Sequence, residues 1–342
     1  KIFKNNIINK MDNKHEVIVK CDCNCSCMSV DYWDDEKIKE YLDIPLKIVF
    51  LDNFHPEMVE CIVCFQWNKM IDEKYFKNFT NIKFVHTIFA GVNHLPKWLF
   101  EKDVEIITAS GAMSDCVAEH ALALLLAGIK NLKNQHEDVK NGIFNQESLN
   151  GTLFNKTVGI LGYGNIGKAF YRIIKPFGVN IMAIKKSWSK KESYGLYFTG
   201  TLNDLDRVFI NSDHIIITLP LTIYTRGIIN KNILRHSKNN SVLVNVARGK
   251  IIVEKDLYEF LNKRNDITAC LDVWWHYPND GNNRFKQDFP FYNLKNCICT
   301  THSAALCENY KEKSIQFTLG NLSDYYKTGR IKNRIIKGDY II

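Results

Sequence analysis

Leu161-Gly162-Tyr163-Gly164-Asn165-Ile166-Gly167 decides the fold of this chain. The apolar run Thr157-Val158-Gly159-Ile160-Leu161 leads into it, and Ile166-Gly167-Lys168-Ala169-Phe170 leads out with helical spacing. The order is strand, glycine turn, helix. The first glycine allows a tight turn, the second lets backbone N–H groups approach a pyrophosphate, and the third lets the helix pack close to the strand. The helix N-terminus then presents its exposed N–H groups and partial positive charge to the phosphates. Gly162, Tyr163, Gly164, Asn165, Ile166 and Gly167 are therefore candidate cofactor-binding residues.

Downstream, apolar runs alternate with helical patterns. Strands are expected at 180–184, 214–219, 241–246, 268–273 and 297–301, with a helix at 254–263. Such alternation gives an α/β fold with a parallel sheet covered on both faces, and ligands bind at the carboxyl ends of its strands. Those ends carry Lys185-Lys186-Ser187, Leu219-Pro220, Val246-Ala247-Arg248, Trp274-Trp275-His276-Tyr277-Pro278 and His302. Leu219, Pro220, Val246 and Ala247 join the glycine turn as cofactor-binding candidates. Arg248 can grip a carboxylate and polarise a 2-oxo group with its planar fork of donors. His302 can give or take a proton, since an unperturbed imidazole has a pKa of ~6.5. A dinucleotide beside these two side chains points to hydride transfer on an acid substrate.

Composition is that of a globular protein: 46% hydrophobic and 24% charged over 342 residues, enough for two domains. The net charge of +8 comes from scattered lysines, with no basic run interleaved with aromatics, so no nucleic-acid partner is expected. No apolar run reaches the ~18 residues of a membrane helix. Ala121–Ile129, the longest, reads as a buried helix. Eleven cysteines without a secretory signal point to a reducing, cytoplasmic setting, although the chain begins at Lys1 rather than Met.

In the first third, strands are expected at 16–21, 46–51, 60–65, 82–87 and 106–108, with a short helix at 35–42. Cys21, Cys23, Cys25 and Cys27 alternate along an extended stretch. Zinc sites usually pair CxxC elements, so this reads as a loop or strand end rich in small thiols rather than a metal site. Cys61 and Cys64 read as core. Trp67 either walls a small pocket or simply packs. Ser114 or Asp115 is the expected N-cap of a long apolar helix, and 141–155 a polar connector.

Several stretches resemble the D-isomer-specific 2-hydroxy-acid dehydrogenases: Phe89-Ala90-Gly91-Val92-Asn93-His94, Val117-Ala118-Glu119-His120-Ala121-Leu122, Val158–Gly167, Leu219-Pro220-Leu221-Thr222, Asn245-Val246-Ala247-Arg248-Gly249, Leu271-Asp272-Val273-Trp274 and Thr301-His302. The resemblance implies two doubly wound (Rossmann/flavodoxin-like) domains with a cleft between them. Residues 1–115, completed by 306–342, would form the substrate domain and 116–305 the NAD(P)-binding domain. It implies a homodimer through the nucleotide domain. It places the active-site arginine on Arg248, the acid/base histidine on His302, carboxylate-binding backbone on Ala90-Gly91, a residue beside the nicotinamide on Val117, and one near the carboxamide on Asp272.

Two departures stand out. The family usually has Glu before the proline that follows the Asp-Val pair, and this chain has Tyr277. Tyrosine can hydrogen-bond to the histidine but supplies no charge at neutral pH; His276, Asp280 and Glu119 are candidates to compensate. NAD enzymes also place an acid at the end of the second strand, where this chain has Lys185, Lys186 and Ser187, which would attract a 2′-phosphate. NADP is therefore favoured over NAD. The substrate candidates are glyoxylate, hydroxypyruvate and 3-phosphohydroxypyruvate, the last in a short form without a regulatory domain. The alternative function is a dinucleotide-sensing corepressor or scaffold of the same fold.

Overall fold

The computed structural model describes residues 15–20, 46–49, 55–64, 71–278 and 285–340. Trp67, Cys21, Cys23, Cys25, Cys27, Asp280 and the helix expected at 35–42 lie outside them. The chain divides into two units, Lys1–Met113 with Glu308–Ile342, and Ser114–Cys307.

The first unit is built on five parallel strands: β1 (His15–Lys20), β2 (Leu46–Val49), β3 (Val59–Cys64), β4 (Phe84–Thr87) and β5 (Glu105–Thr108), in the order β2-β1-β3-β4-β5. That is the flavodoxin-like order. β3 and β4 are buried almost throughout, as parallel strands covered on both faces must be. The returning chain is stitched into this unit. Asn333 O accepts from Thr108 N at 3.1 Å, Arg334 pairs with Glu105 at 3.0 Å, and Tyr325 meets Phe84 edge-on at 4.8 Å.

The second unit carries seven parallel strands: β6 (Thr157–Leu161), β7 (Asn180–Ile184), β8 (Phe198–Gly200), β9 (His214–Ile217), β10 (Val242–Asn245), β11 (Thr268–Leu271) and β12 (Cys297–Cys299). Their order is β12-β11-β10-β9-β6-β7-β8. The order reverses between β6 and β9, which is where a doubly wound sheet binds its ligand. Helix α1 (Ser114–Ile129) buries Val117, Ala118, Ala121, Leu124, Leu125, Gly128 and Ile129, one face at helical spacing. It lies so close to β10 that a Cβ on Gly128 would stand 2.7 Å from Val242 Cγ1. Truncating the fully buried Leu125 to Ala would cost about 2–5 kcal/mol.

Two expectations need correction. Ser114 is already helical rather than a cap. β8 was not expected at all: it is a three-residue edge strand, only its last residue buried, so it has no apolar run to betray it. Among the described residues no helix is long and apolar enough to cross a membrane.

Candidate active site

The glycine turn sits at the end of β6. Gly162 has φ +109°, and a Cβ there would lie 2.6 Å from Leu219 N. One on Gly167 would lie 2.4 Å from Gly162 O. Packing thus excludes side chains at both. Gly164 differs: a Cβ would meet nothing within 4 Å. The fold does not require this glycine, yet it opens helix α2 (Asn165–Ile174), which has no side-chain cap. Open space at the start of a helix fits a pyrophosphate. Thr218 Oγ1 donates to Gly162 O at 2.7 Å and ties the turn to the end of β9, beside Leu219 and exposed Pro220. Tyr163 stacks on Trp188, ring centroids 5.5 Å apart.

At the end of β7 the lysine pair is not simply presented to solvent. Lys185 Nζ donates to the Glu192 carboxylate, as do Lys168 Nζ at 2.6 Å and Ser189 Oγ at 3.0 Å. These bonds, Lys168 first, pull the Glu192 pKa down to about 2. Lys186 Nζ lies 5.8 Å from the Tyr224 ring centre. Ser187 continues the same loop. Sequence reasoning missed Glu192, although Ser189-Lys190-Lys191-Glu192 has the spacing of a capping box, and Ser189 does accept from Glu192 N.

The ends of β10, β11 and β12 assemble the second half of the site. Asn245 Oδ1 accepts from Ala247 N at 3.0 Å and its amide donates to Arg248 O at 3.1 Å, fixing the turn that carries Val246, Ala247 and Arg248. A Cβ on Gly249 would lie 2.4 Å from Trp274 O, so this turn presses directly on the loop after β11. Asp272 in that loop is fully buried. Its carboxylate accepts from Thr300 Oγ1 at 2.6 Å, Ser303 N at 2.9 Å and Ala304 N at 3.1 Å, with His120 Nε2 at 3.5 Å. Burial works to raise the Asp272 pKa, but these bonds together hold it below the ordinary value. The resemblance sets Asp272 near the carboxamide; in the structure its oxygens hold the residues on both sides of His302.

His302 adopts the left-handed region, φ 58°. Surrounding protein atoms lower its pKa most, the Arg248 charge lowers it further, and Asp272 opposes. The Tyr277 ring packs on the His302 ring with centroids 5.3 Å apart, but its hydroxyl accepts from Trp274 N at 3.1 Å. His276 is turned to Asp288 at 3.2 Å, and Glu119 is exposed on α1. Val117 is buried in the first turn of α1. Ala90 and Gly91 follow β4 in the other unit, at its carboxyl end, with Ala90 exposed.

A doubly wound sheet with a glycine turn at its switch point, and an arginine and a histidine following the carboxyl ends of β10 and β12 on either side of β11, is the architecture of a dinucleotide-binding domain. Residues 122–304 match the D-isomer specific 2-hydroxyacid dehydrogenase, NAD binding domain. The chain belongs to that family, whose members interconvert small 2-oxo and 2-hydroxy acids. It is 34% identical over 211 residues to D-3-phosphoglycerate dehydrogenase of Methanocaldococcus jannaschii, a match covering 61% of this chain and 38% of that protein. It is 29% identical over 227 residues to glyoxylate reductase/hydroxypyruvate reductase of Mus musculus, covering 65% and 67%. A solved glycerate dehydrogenase related protein from Thermoplasma acidophilum matches at 29% identity and TM-score 0.61, covering 91% of this chain and 99% of that one.

Proposed function

We propose that this protein reduces a small 2-oxo acid to its D-2-hydroxy acid, with glyoxylate, hydroxypyruvate and 3-phosphohydroxypyruvate as the candidate substrates. The observation that carries the reading is that Arg248 and His302 follow the carboxyl ends of β10 and β12 in the same sheet whose switch point carries the glycine turn. When bound, the dinucleotide supplies the hydride. Its pyrophosphate would be held by Gly162–Gly167, with Leu219, Pro220, Val246, Ala247 and Val117 along its length. Arg248 grips the substrate carboxylate and polarises the 2-oxo group. His302 gives its proton to the developing alkoxide. Asp272 holds the His302 loop, and Tyr277 supports the imidazole by ring contact alone. By the same resemblance, backbone N–H groups at Ala90-Gly91 are the carboxylate-binding groups of the substrate domain, residues 1–115 with 306–342.

NADPH is the preferred cofactor in this reading. No acid ends β7 to repel a 2′-phosphate, and Lys185, Lys186 and Ser187 stand there instead. Glu192 tempers the preference by holding Lys185. The working state is a cytoplasmic homodimer. Its support is a run of exposed apolar residues in the nucleotide domain, Phe144 at 80% and Leu149 at 99% exposure among them, with Val139 and Phe154 beside them in sequence.

The test mixes the protein with NADPH and each of the three acids and follows dinucleotide absorbance. Turnover of at least one is expected. Tight NADPH binding with no turnover of any acid would overturn the enzymatic reading and leave a dinucleotide-sensing scaffold.

A further inference from the structure

Two thiols on β12 take no part in the chemistry above. Cys297 and Cys299 are two positions apart on a strand, so their side chains share a face. Their sulfurs lie 3.7 Å apart, in contact but unbonded. Cys297 is fully buried and Cys299 partly exposed. Among the described residues β12 is the edge of its sheet, paired with β11 alone. Lys133 Nζ donates to Cys297 O at 2.7 Å and to Leu294 O at 2.8 Å, which anchors a cation beside the pair.

We infer that Cys297 and Cys299 are an oxidisable dithiol that a peroxide closes to a disulfide, and that closure withdraws the His302 loop from its working position. The two sulfurs are unequal. The contact with Cys297, and then the Lys133 charge, favour the Cys299 thiolate and lower its pKa, while the Cys297 thiol is pushed up. The Cys299 thiolate attacks one peroxide oxygen, the O–O bond breaks, hydroxide leaves, and the sulfur becomes a sulfenic acid. The Cys297 sulfur then attacks the Cys299 sulfur, the S–O bond breaks, and water leaves. Hydrogen peroxide is reduced and the two thiols are oxidised, two electrons in all. By contrast Cys61 and Cys64 are wholly buried, with the Cys64 thiol pushed up to about 12, which keeps them inert.

Geometry links this bond to the site. Strand residues two apart have Cα atoms ~6.6 Å apart, whereas disulfides favour about 5.5–6 Å. That spacing lies near the long end of the ~4.4–6.8 Å range that disulfides span, so closure pulls the strand end inward by at most roughly 1 Å. The next residue is Thr300, whose hydroxyl donates to Asp272 and whose carbonyl accepts from Trp274 Nε1 at 2.9 Å. A displaced Thr300 disturbs the Asp272 clamp around His302, and a shift of ~1 Å can cost ~10²-fold in rate.

The loss of turnover rests on the proposed function; the disulfide does not. A Cys307→Ser variant leaves this pair as the only cysteines in the tryptic peptide 296–311. After stoichiometric hydrogen peroxide and alkylation, that peptide should carry no alkyl group and weigh two hydrogens less than its reduced form. Turnover should fall at least tenfold and return with dithiothreitol, and Cys299→Ser should keep turnover under the same treatment. A peptide that still alkylates at both sulfurs, or is oxidised only to sulfinic acid, overturns the dithiol. A disulfide that leaves turnover unchanged overturns its link to His302. Absence of turnover before oxidation counts against the proposed function alone, and the peptide mass still decides the dithiol.

Discussion

The Tyr277 ring lies against the His302 imidazole with centroids 5.3 Å apart, while its hydroxyl is committed to the Trp274 N–H. The acid/base histidine therefore gains a neighbour but no negative charge from this position. The imidazolium is the form that donates in reduction. Its fraction is full below the His302 pKa and vanishes above it, and that pKa is held below its ordinary 6.5. Hence kcat/KM for 2-oxo acid reduction falls as pH rises through a midpoint below 6.5, and oxidation of the hydroxy acid rises through the same midpoint. Tyr277→Glu should move both midpoints upward. Superimposable pH–rate profiles for the two proteins would refute this.

Gly162 and Gly164 should separate folding from cofactor binding. Gly162→Ala forces a side chain at φ +109° against Leu219 N, and should cost roughly 2–4 kcal/mol in denaturant unfolding. Gly164→Ala meets no protein atom, so its Tm should match the parent. Its methyl points where the pyrophosphate would lie, and dinucleotide Kd should rise at least ~10-fold, the factor that 1.4 kcal/mol of lost contact gives. Unchanged Kd in Gly164→Ala would place the dinucleotide elsewhere.

Glu192 should set the balance between the two dinucleotides. Its carboxylate holds both Lys168 and Lys185 at the end of β7. Glu192→Gln removes the competing charge and leaves both ammonium groups for a 2′-phosphate. NADPH should bind about two- to fivefold tighter, the scale of a partly exposed ion pair, with little change for NADH. Equal effects on both would show that Glu192 acts on shape rather than charge.

His86 and His214 should make the fold acid-sensitive. Burial lowers each pKa from 6.5 to about 4, and Val242 N donates to His214 Nδ1 at 3.2 Å. The unfolded imidazoles take protons near 6.5, whereas the folded ones resist until about 4. Their contribution is whole above 6.5 and is lost as pH falls toward 4. Each accounts for up to about 3 kcal/mol. Urea unfolding at about pH 7 and about pH 4.5 measures this, and His214→Asn should lose less stability between the two.

Much of this was legible beforehand because the determinants are local. The glycine turn needs glycine at 162 and 167 for reasons set within a few residues and one neighbouring strand. The buried parallel strands announce themselves as apolar runs, and the helix expected at 254–263 spans Glu254–Lys263. What stayed hidden depends on distant partners. Asp272 reaches Thr300, Ser303 and Ala304 across 28 to 32 residues, so no spacing shows its carboxylate to be engaged. The Tyr277 hydroxyl accepts from the Trp274 N–H of its own loop, a side-chain direction that no sequence pattern carries. β8 pairs through backbone at a sheet edge and carries little apolar signature.

The most direct test of the central claim is single-turnover reduction of the accepted 2-oxo acid by NADPH-loaded protein, parent against His302→Asn. The account predicts unchanged NADPH affinity and a hydride-transfer rate lower by about 10²–10⁴-fold. A variant that transfers hydride at the parental rate would contradict it.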